Sequence, residues 1–277
     1  MKLRAAGGVW GRVRPVYFIG GVEVRPEKVE IKVTLADARE PAGAAGLVEE
    51  AIERLGLTGG EAWTVVFCED ITDAAASTAL LDIGVVLRVR GKTATTGDST
   101  IKLRPSRWSQ LDPGYFQNAE ADENNAEELK IEADWAGENR SLATSMTVQW
   151  SDSRLSAAQA DDRLVAKLFS KKQLDFLGTC SVGRINLAAV SMLPPIAATR
   201  FEEFIIDGLT SGVRAERWQV DAGLDFLELS IVAKPKKAVA AQAALTAFVQ
   251  QEQLPVDDSQ VSKTQRVLDH LIATSTI

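Results

Sequence analysis

The chain has 277 residues, 45% of them hydrophobic and 25% charged, which is enough for one large globular domain or two small ones. Its formal net charge is -7, which argues against wrapping of duplex nucleic acid, because affinity for a duplex comes mainly from neutralised phosphates. No segment is long and apolar enough to span a bilayer and no signal peptide is evident, so we expect a cytoplasmic protein without membrane attachment.

Cysteine and histidine are scarce, which restricts the chemistry the chain can perform. Two cysteines, Cys68 and Cys180, and one histidine, His270, leave little for a zinc site or a catalytic triad. Cys68 lies in the apolar run WTVVFC, which is typical of a buried structural thiol. His270 falls in a predicted C-terminal helix, where we expect a surface position.

The first half of the chain predicts an arm followed by strands and one helix. Residues 1–26 are rich in Gly and Arg without a clear period, which predicts a flexible arm, and residues 27–277 are expected to form a single domain. A helix is predicted in PAGAAGLVEEAIERLGL, with a stop at Gly56. Strands are predicted in KVEIKVTL, EAWTVVFCED and DSTIKLRP, and ASTALLDIGVVLRVRG is predicted to pass from a turn into a further strand.

The second half begins with a polar, acidic loop, GYFQNAEADENNAEE, and returns to strands and helices. Strands are predicted in LKIEADWA, RSLATSMTVQW, ATRFEEFIID, RAERWQVDA and LDFLELSIVA. Helices are predicted in AAQADDRLVAKLFSKKQLDFLG, ending at Gly178, and in KKAVAAQAALTAFVQQEQ and DSQVSKTQRVLDHLIA. About eight strands with inserted helices indicate an α+β fold with a large antiparallel sheet.

Several predicted strands carry aliphatic residues on one side and charged residues on the other. Arg88 and Arg90 alternate with Leu87 and Val89, and successive side chains of a strand point to opposite faces. Lys102 and Arg104 repeat the pattern on the next strand. The same alternation places further charged residues together, namely Glu30 with Lys32, Glu132 with Asp134, and Glu228 with Ser230.

Two interpretations of the charged face remain open. A sheet whose polar face meets water is the simpler one. The alternative is a barrel with its aliphatic face outward under the helices and its charged face lining the interior. Crowded cations in such an interior need counter-charge, which a ligand with several phosphates would supply, and the carboxylates would suit a hard cation such as Mg²⁺ or Mn²⁺.

The run LLDIGVVLRVRGK followed by STIKLRP resembles the signature of the CYTH superfamily, the triphosphate tunnel metalloenzymes. The resemblance extends from about Lys28 to about Leu271 and is most specific between Leu80 and Arg104. It implies an eight-stranded antiparallel β-barrel that encloses a tunnel and is flanked by helices.

The resemblance also implies roles for individual residues of this chain. The phosphate-binding residues would be Lys32, Arg88, Arg90, Lys102, Arg104, Arg200, Lys263 and Arg266. The catalytic residues among them would be Lys32, Arg88, Arg90 and Lys102. The metal-binding residues, for Mg²⁺ or Mn²⁺, would be Glu30, Glu132, Asp221 and Glu228.

Two departures from the family pattern weaken the implied metal site. The first glutamate of the N-terminal Glu-x-Glu-x-Lys motif is replaced by Lys28, and the late Glu-x-Glu pair is reduced to Glu228 and Ser230. Both changes remove an acidic residue, and metal affinity depends on the charge of the ligands.

Four functions stay open at this point, and the first is metal-dependent hydrolysis of an inorganic or organic triphosphate. The second is a non-catalytic module that binds a polyphosphate or nucleotide, with a degraded metal site. Adenylyl cyclase is the third, although nothing specifies recognition of adenine, and a purely structural barrel is the fourth. The expected partner is a small triphosphate or polyphosphate, and apolar helix faces near the C-terminus would allow a homodimer.

Overall fold

The structure is a computed structural model of the chain. It describes residues 17–19, 22–24, 26, 28–35, 44–72, 78–111, 127–221, 223–257 and 259–275. Most of the predicted N-terminal arm and the acidic loop after residue 111 lie outside the described residues. The described part of the arm forms a two-stranded antiparallel sheet of β1 and β2, Tyr17–Ile19 and Val22–Val24.

Most of the remaining strands lie in predicted segments, but Val190–Met192 was not predicted as a strand, and the strand that overlaps ATRFEEFIID ends at Arg200. The remaining strands are β3 (Lys28–Leu35), β4 (Glu61–Asp70), β5 (Val85–Gly91), β6 (Gly97–Leu103), β7 (Glu127–Ala136), β8 (Asn139–Trp150), β9 (Val190–Met192), β10 (Ile196–Arg200), β11 (Arg214–Asp221) and β12 (Leu224–Ala233). The α-helices are α1 (Ala44–Arg54), α2 (Ala79–Asp82), α3 (Arg154–Ala160), α4 (Lys171–Cys180), α5 (Ala238–Gln251) and α6 (Lys263–Ser275).

Nine strands of the described chain close into a barrel. Their order around it is β10, β11, β12, β3, β7, β8, β6, β5 and β4, and β10 pairs with β4 to complete the ring. The short strand β9 adds to the far end of β4. The predicted α+β barrel with flanking helices is confirmed.

The strand count and one pairing correct the expectation of eight antiparallel strands. A closed ring with an odd number of strands cannot alternate in direction throughout, so at least one neighbouring pair must be parallel. That pair is β3 and β7, with Lys28 beside Glu132 and Glu30 beside Asp134. The other barrel pairings are antiparallel.

The aliphatic faces of the strands point outward and are covered by helices. On one side, Leu87, Ile101 and Met146 pack with α3, α4 and the 3₁₀ segment between them, where Leu168 and Phe176 are fully buried. On the other side, a second cluster joins β3 and β12 to helices α1 and α5. Its members include Ile31, Val48, Leu229 and Leu245. The barrel therefore has its main apolar layers outside the ring of strands.

One end of the barrel interior is filled by apolar side chains. Phe67, Trp218 and Phe226 meet there with stacked rings, and Leu268 of α6 packs against the same cluster. Helix α6 thus closes this end. No helix in the part of the chain that the structure describes combines the length and apolar character needed to cross a membrane.

The helix predicted to end at Gly178 is three segments in the structure. Helix α3 ends at Ala160, a 3₁₀ segment covers Asp162–Leu168, and α4 begins after Ser170. The Ser170 hydroxyl accepts the Gln173 backbone N–H and the Gln173 side chain accepts the Ser170 N–H, which is a capping box that starts a new helix. Gly178 lies inside α4 and does not stop it.

Candidate functional site

The charged faces of the strands point into the barrel. Lys32 of β3 and Lys102 of β6 both reach Asp134 of β7, with Nζ–Oδ1 at 3.2 Å and Nζ–Oδ2 at 3.0 Å respectively. Arg104 adds a third contact, Nη1–Oδ2 at 3.3 Å. Two strands, β7 and β8, separate β3 from β6 in the sheet, so Lys32 and Lys102 meet on one carboxylate only across the barrel interior.

Asp134 is the centre of this network and is 6% exposed. Burial works against its ionisation, yet Lys102, Lys32 and Arg104 together hold the pKa of its carboxyl well below the usual range. Burial likewise opposes the charge on Lys32, but Glu30 and Asp134 raise the pKa of its ammonium above the ordinary value. Burial lowers the pKa of Lys102 even though Asp134 opposes that change.

A second network joins helix α6 to β11 and β12. The Lys263 ammonium lies 2.6 Å from Glu216 Oε2 and 2.8 Å from Glu228 Oε1. Burial opposes ionisation of Glu216, but Lys263 lowers the pKa of its carboxyl to about 2. Because Lys263 is the first residue of α6, the same contacts also hold that helix against the barrel.

Arg88 and Arg90 of β5 differ in how their charges are balanced. Arg90 donates from Nε to both oxygens of Asp98, at 3.1 and 3.0 Å, and from Nη2 to Asp98 Oδ2 at 2.9 Å. Arg88 donates from Nη2 to Thr100 Oγ1 at 3.3 Å, while its Nε is buried without a partner. Among the described residues no carboxylate forms an ion pair with Arg88, and burial, with Arg90 next, lowers the pKa of its guanidinium to about 10.

Two more predicted phosphate-binding residues lie at the edges of these networks. The guanidinium carbon of Arg200 is 5.6 Å from the ring centre of Trp63, and the guanidinium carbon of Arg90 is 4.4 Å from the same ring centre. Arg266 of α6 contacts the buried Asp257 and lies 5.5 Å from the ring centre of Phe226. Arg200 is the last residue of β10. The contacts of Arg266 are with Asp257 and Phe226, not with the residues around Asp134.

A cavity of about 250 Å³ opens beside the two networks. Lys32, Arg104, Lys263, Asp134 and Glu228 line its charged side. The segment leading into α6 covers it, since Arg104 Nη2 donates to Ser262 Oγ at 2.7 Å and Gln260 exchanges hydrogen bonds with the Thr34 backbone. The cavity therefore brings three cationic side chains and two carboxylates together in a partly open space.

The predicted metal-binding carboxylates are not gathered into one site. Asp221 lies at the end of β11, where its carboxylate contacts Gly223 N and His270 Nε2, both at 2.7 Å. His270 is accordingly half-buried and paired, whereas a surface position was expected. Glu30 contacts Lys32 at 2.7 Å, and Glu228 contacts Lys263.

Glu132, the fourth predicted ligand, lies beside Lys28 in the register of β3 and β7. Burial, with Glu30 next, raises the pKa of its carboxyl. Within the described ranges no group of three or more His, Cys, Asp or Glu could hold a metal ion. The donor set present does not fit the Mg²⁺ or Mn²⁺ site that the resemblance implied.

Three carboxylates of the interior were missing from the predicted set: Asp98, Asp134 and Glu216. Each lies on the charged side of its strand by the same alternation that identified Arg88 and Arg90. Asp134 is two residues beyond Glu132, and Glu216 lies between Arg214 and Trp218 in alternate positions. The signal was therefore present, but the resemblance favoured Glu132 over Asp134.

No protein-family model and no curated protein matches the chain. Solved structures do match. A candidate adenylate cyclase of Bacillus halodurans has a TM-score of 0.54 at 14% identity, covering 87% of this chain and 98% of that one. HpAC1 of Hippeastrum, a candidate adenylyl cyclase for which a dominant triphosphatase activity is stated, has a TM-score of 0.51 at 12% identity, covering 87% and 94%. These likenesses show that the barrel fold is shared.

Proposed function

We propose that the protein binds the triphosphate group of an inorganic or organic triphosphate inside the barrel and hydrolyses one of its phosphoric anhydride bonds. The proposal rests on one observation, the buried charge of Arg88 that no carboxylate of the described chain pairs with. A guanidinium inside a barrel is costly without a counter-charge, and no carboxylate of the described chain pairs with it. A phosphate oxygen matches the donors that Arg88 leaves unused, Nε among them.

The proposed chemistry uses the cations of the tunnel to stabilise negative charge. Water attacks the terminal phosphorus, the bond from that phosphorus to the bridging oxygen breaks, and orthophosphate and the shortened phosphate leave, with one proton released to solvent. Arg88, Arg90 and Lys102 would neutralise the charge that develops on the phosphoryl oxygens. No step is assigned to a divalent cation, because the carboxylates in the described part of the barrel do not form a site that fits one.

Membership of the CYTH superfamily belongs to the same proposal. The shared barrel and the paired motifs LRVR and KLR support it, and the activity stated for the Hippeastrum protein favours hydrolysis over cyclisation. Adenylyl cyclase is not proposed, since no group in the described interior is assigned to adenine.

Binding without hydrolysis is the second candidate. Lys28 stands beside Glu132 where the family motif has a glutamate, and the carboxylates Glu30 and Glu228 are each held by a lysine. These contacts favour a site that holds an anion and leaves it intact.

An assay of orthophosphate release separates the two candidates. Tripolyphosphate, thiamine triphosphate and nucleoside triphosphates are each incubated with the full chain in Mg²⁺, in Mn²⁺ and in EDTA, and binding is followed in parallel by calorimetry. If the protein hydrolyses the triphosphate, the rate of orthophosphate release should fall about ten- to hundred-fold in Arg88→Ala and in Arg90→Ala, since hydrogen bonds to a charged group contribute about 1.5–3 kcal/mol.

The control is Arg163→Ala, because the Arg163 side chain is 89% exposed and remote from the tunnel networks. Binding without release selects the second candidate. If none of these anions is bound and none is hydrolysed, the proposed function is wrong. It is also wrong if turnover is unchanged in both Arg88→Ala and Arg90→Ala.

A further inference from the structure

Two pairs of carboxylates face each other across neighbouring strands inside the barrel. Glu216 of β11 is directly opposite Glu228 of β12, and Glu30 of β3 is beside Asp134 of β7. Directly opposite residues of an antiparallel pair, such as Glu216 and Glu228, have their Cβ atoms about 4.5–5.5 Å apart, and like charges placed there destabilise a sheet. Each pair therefore needs a cation between its members.

A single lysine ammonium bridges each pair. Lys263 contacts Glu216 at 2.6 Å and Glu228 at 2.8 Å, and Lys32 contacts Glu30 at 2.7 Å and Asp134 at 3.2 Å. The two lysines come from different directions, since Lys32 lies on β3 itself whereas Lys263 is brought in by α6. The same arrangement is thus built twice with unrelated backbone geometry.

The lysine nitrogen occupies the place that a hard cation would take. Mg²⁺ and Mn²⁺ seek carboxylate oxygens from two or more side chains, and the two oxygens they would share here are already within hydrogen-bond distance of one ammonium. An ammonium and a divalent cation cannot both lie between the same two carboxylates. Lys28 adds a further positive charge beside Glu132, next to the Glu30 pair.

We propose that Lys32 and Lys263 are built-in counter-ions that replace divalent cations in this barrel. The ligand-free protein then binds neither Mg²⁺ nor Mn²⁺ tightly, because an ammonium that is part of the chain already occupies the position between the two carboxylates of each pair.

A consequence for ligand binding follows, and it rests on the proposed function. An ammonium has three N–H donors. Lys32 and Lys263 each direct two of them to carboxylates, which leaves one donor for a phosphate oxygen. A triphosphate would therefore be held by Lys32, Lys263 and the arginines directly. We expect its affinity to be the same, within about three-fold, in EDTA and in Mg²⁺, a difference below 1 kcal/mol.

Manganese titration of the full chain without any anion tests the inference, with free Mn²⁺ followed by electron paramagnetic resonance. The wild type should take up no Mn²⁺ below about 1 mM, the weak end of carboxylate sites. Lys263→Gln should bind one Mn²⁺ at least about ten-fold more tightly, because it exposes two opposed carboxylates to a cation. Adding Glu228→Gln to that variant should abolish the gain.

Two further variants serve as controls. Lys263→Arg keeps a cation between the carboxylates and should behave as the wild type. Lys171→Gln removes a lysine that is 92% exposed and should change nothing. Circular dichroism shows whether Lys263→Gln folds. If it does not, the titration of the wild type with Mn²⁺ still tests the inference.

Stoichiometric Mn²⁺ binding by the wild type that is lost in Glu216→Gln or Glu228→Gln would overturn the inference. So would a folded Lys263→Gln that binds Mn²⁺ no better than the wild type. A separate calorimetric titration with tripolyphosphate in EDTA tests the ligand-binding consequence. Failure to bind tripolyphosphate in any buffer contradicts the proposed function and leaves the manganese result to stand by itself.

Discussion

Arg88 is a buried cation whose charge is poorly compensated by the side chains around it. Arg90 on the same strand contacts Asp98 and the ring of Trp63, whereas Arg88 has one hydrogen bond, to Thr100. Burial lowers the pKa of its guanidinium to about 10, which is the direction expected of a cation without sufficient counter-charge. In the ligand-free protein this residue is therefore a source of strain that an anion would relieve.

Replacing Arg88 with Met should raise stability and lower affinity together. Methionine fills a similar volume without a charge to desolvate, so we expect the free energy of unfolding to rise by about 1 kcal/mol. Affinity for tripolyphosphate should fall about ten- to hundred-fold, since hydrogen bonds to a charged group contribute about 1.5–3 kcal/mol. Urea unfolding and calorimetry measure the two effects, with the exposed Arg163→Met as control. A variant that loses both stability and affinity would show that Arg88 is a structural residue.

Which face a residue occupies could be predicted from the sequence, but its partner could not. Alternation of apolar and charged residues placed Arg88, Lys102 and Glu132 on the inner face correctly. The choice between Glu132 and Asp134 as the central carboxylate depended on the register of a parallel pair between β3 and β7, which are far apart along the chain. Asp221 shows the same limit, because its pairing with His270 depends on where α6 docks.

At the scale of elements, strand β6 is placed by a close approach at its first residue. A Cβ on Gly97 would overlap the backbone carbonyl oxygen of Arg90 and the ring of Trp150. Neither neighbour can move freely, since Arg90 is in the ladder with β6 and Trp150 ends the opposite strand β8. Arg90 and Asp98 lie directly opposite each other in this register, so Gly97 also helps to position that ion pair.

Alanine at two glycines should have opposite effects. Gly97→Ala forces a backbone shift between β5, β6 and β8, and we expect a loss of about 3 kcal/mol in the free energy of unfolding. Gly178→Ala lies within α4, where no atom is within 4 Å of the added methyl group, and should gain about 0.5–1 kcal/mol from helix propensity. Thermal unfolding measures both, and equal stability of the two variants would contradict the expected close packing at Gly97.

Strands could be predicted better than the helical layer that covers them. KVEIKVTL matches β3 in full, because apolar and charged residues alternate along it, and EAWTVVFCED matches β4 in full, because its apolar run is buried on both faces of the sheet. The segment around residues 157–178 was predicted as one helix, because its apolar period continues through the break. The helix is interrupted because Ser170 and Gln173 form a capping box that starts α4 as a new helix. Gln173 also donates to the carbonyl oxygens of Ser99 and Met146, which holds α4 against the barrel.

At the scale of the whole molecule, the fold separates two kinds of interior. Apolar layers lie between the barrel and its helices, while the inside of the ring carries ion pairs along much of its length and an apolar plug at one end. Closure of the ring by β10 and β4 encloses those charges. The sequence alone left a solvated face as an alternative, because neither closure nor the position of α6 can be deduced from local patterns.

The enclosed carboxylates make the stability of the molecule sensitive to acid. The pKa values of Asp134 and Glu30 lie below their ordinary values and that of Glu216 falls to about 2. For such groups the unfolded state binds protons first, so their stabilisation is present above the ordinary carboxyl pKa and is lost as pH falls. We expect the free energy of unfolding to decline steeply from about pH 4.5 toward pH 2, by about 1.4 kcal/mol per pH unit for each proton taken up.

Asp134→Asn should flatten that decline while lowering stability at neutral pH. Loss of one charge leaves Lys32, Lys102 and Arg104 without their common partner, which should cost about 3–5 kcal/mol at pH 7. The variant no longer takes up a proton at this position, so its stability should vary with pH by about one proton less than that of the wild type. Asp207→Asn, at an exposed position between β10 and β11, is the control and should keep the wild-type profile. Urea unfolding at intervals between pH 3 and pH 7 gives both quantities, and identical pH profiles for Asp134→Asn and the wild type would show that Asp134 is not the proton-linked group.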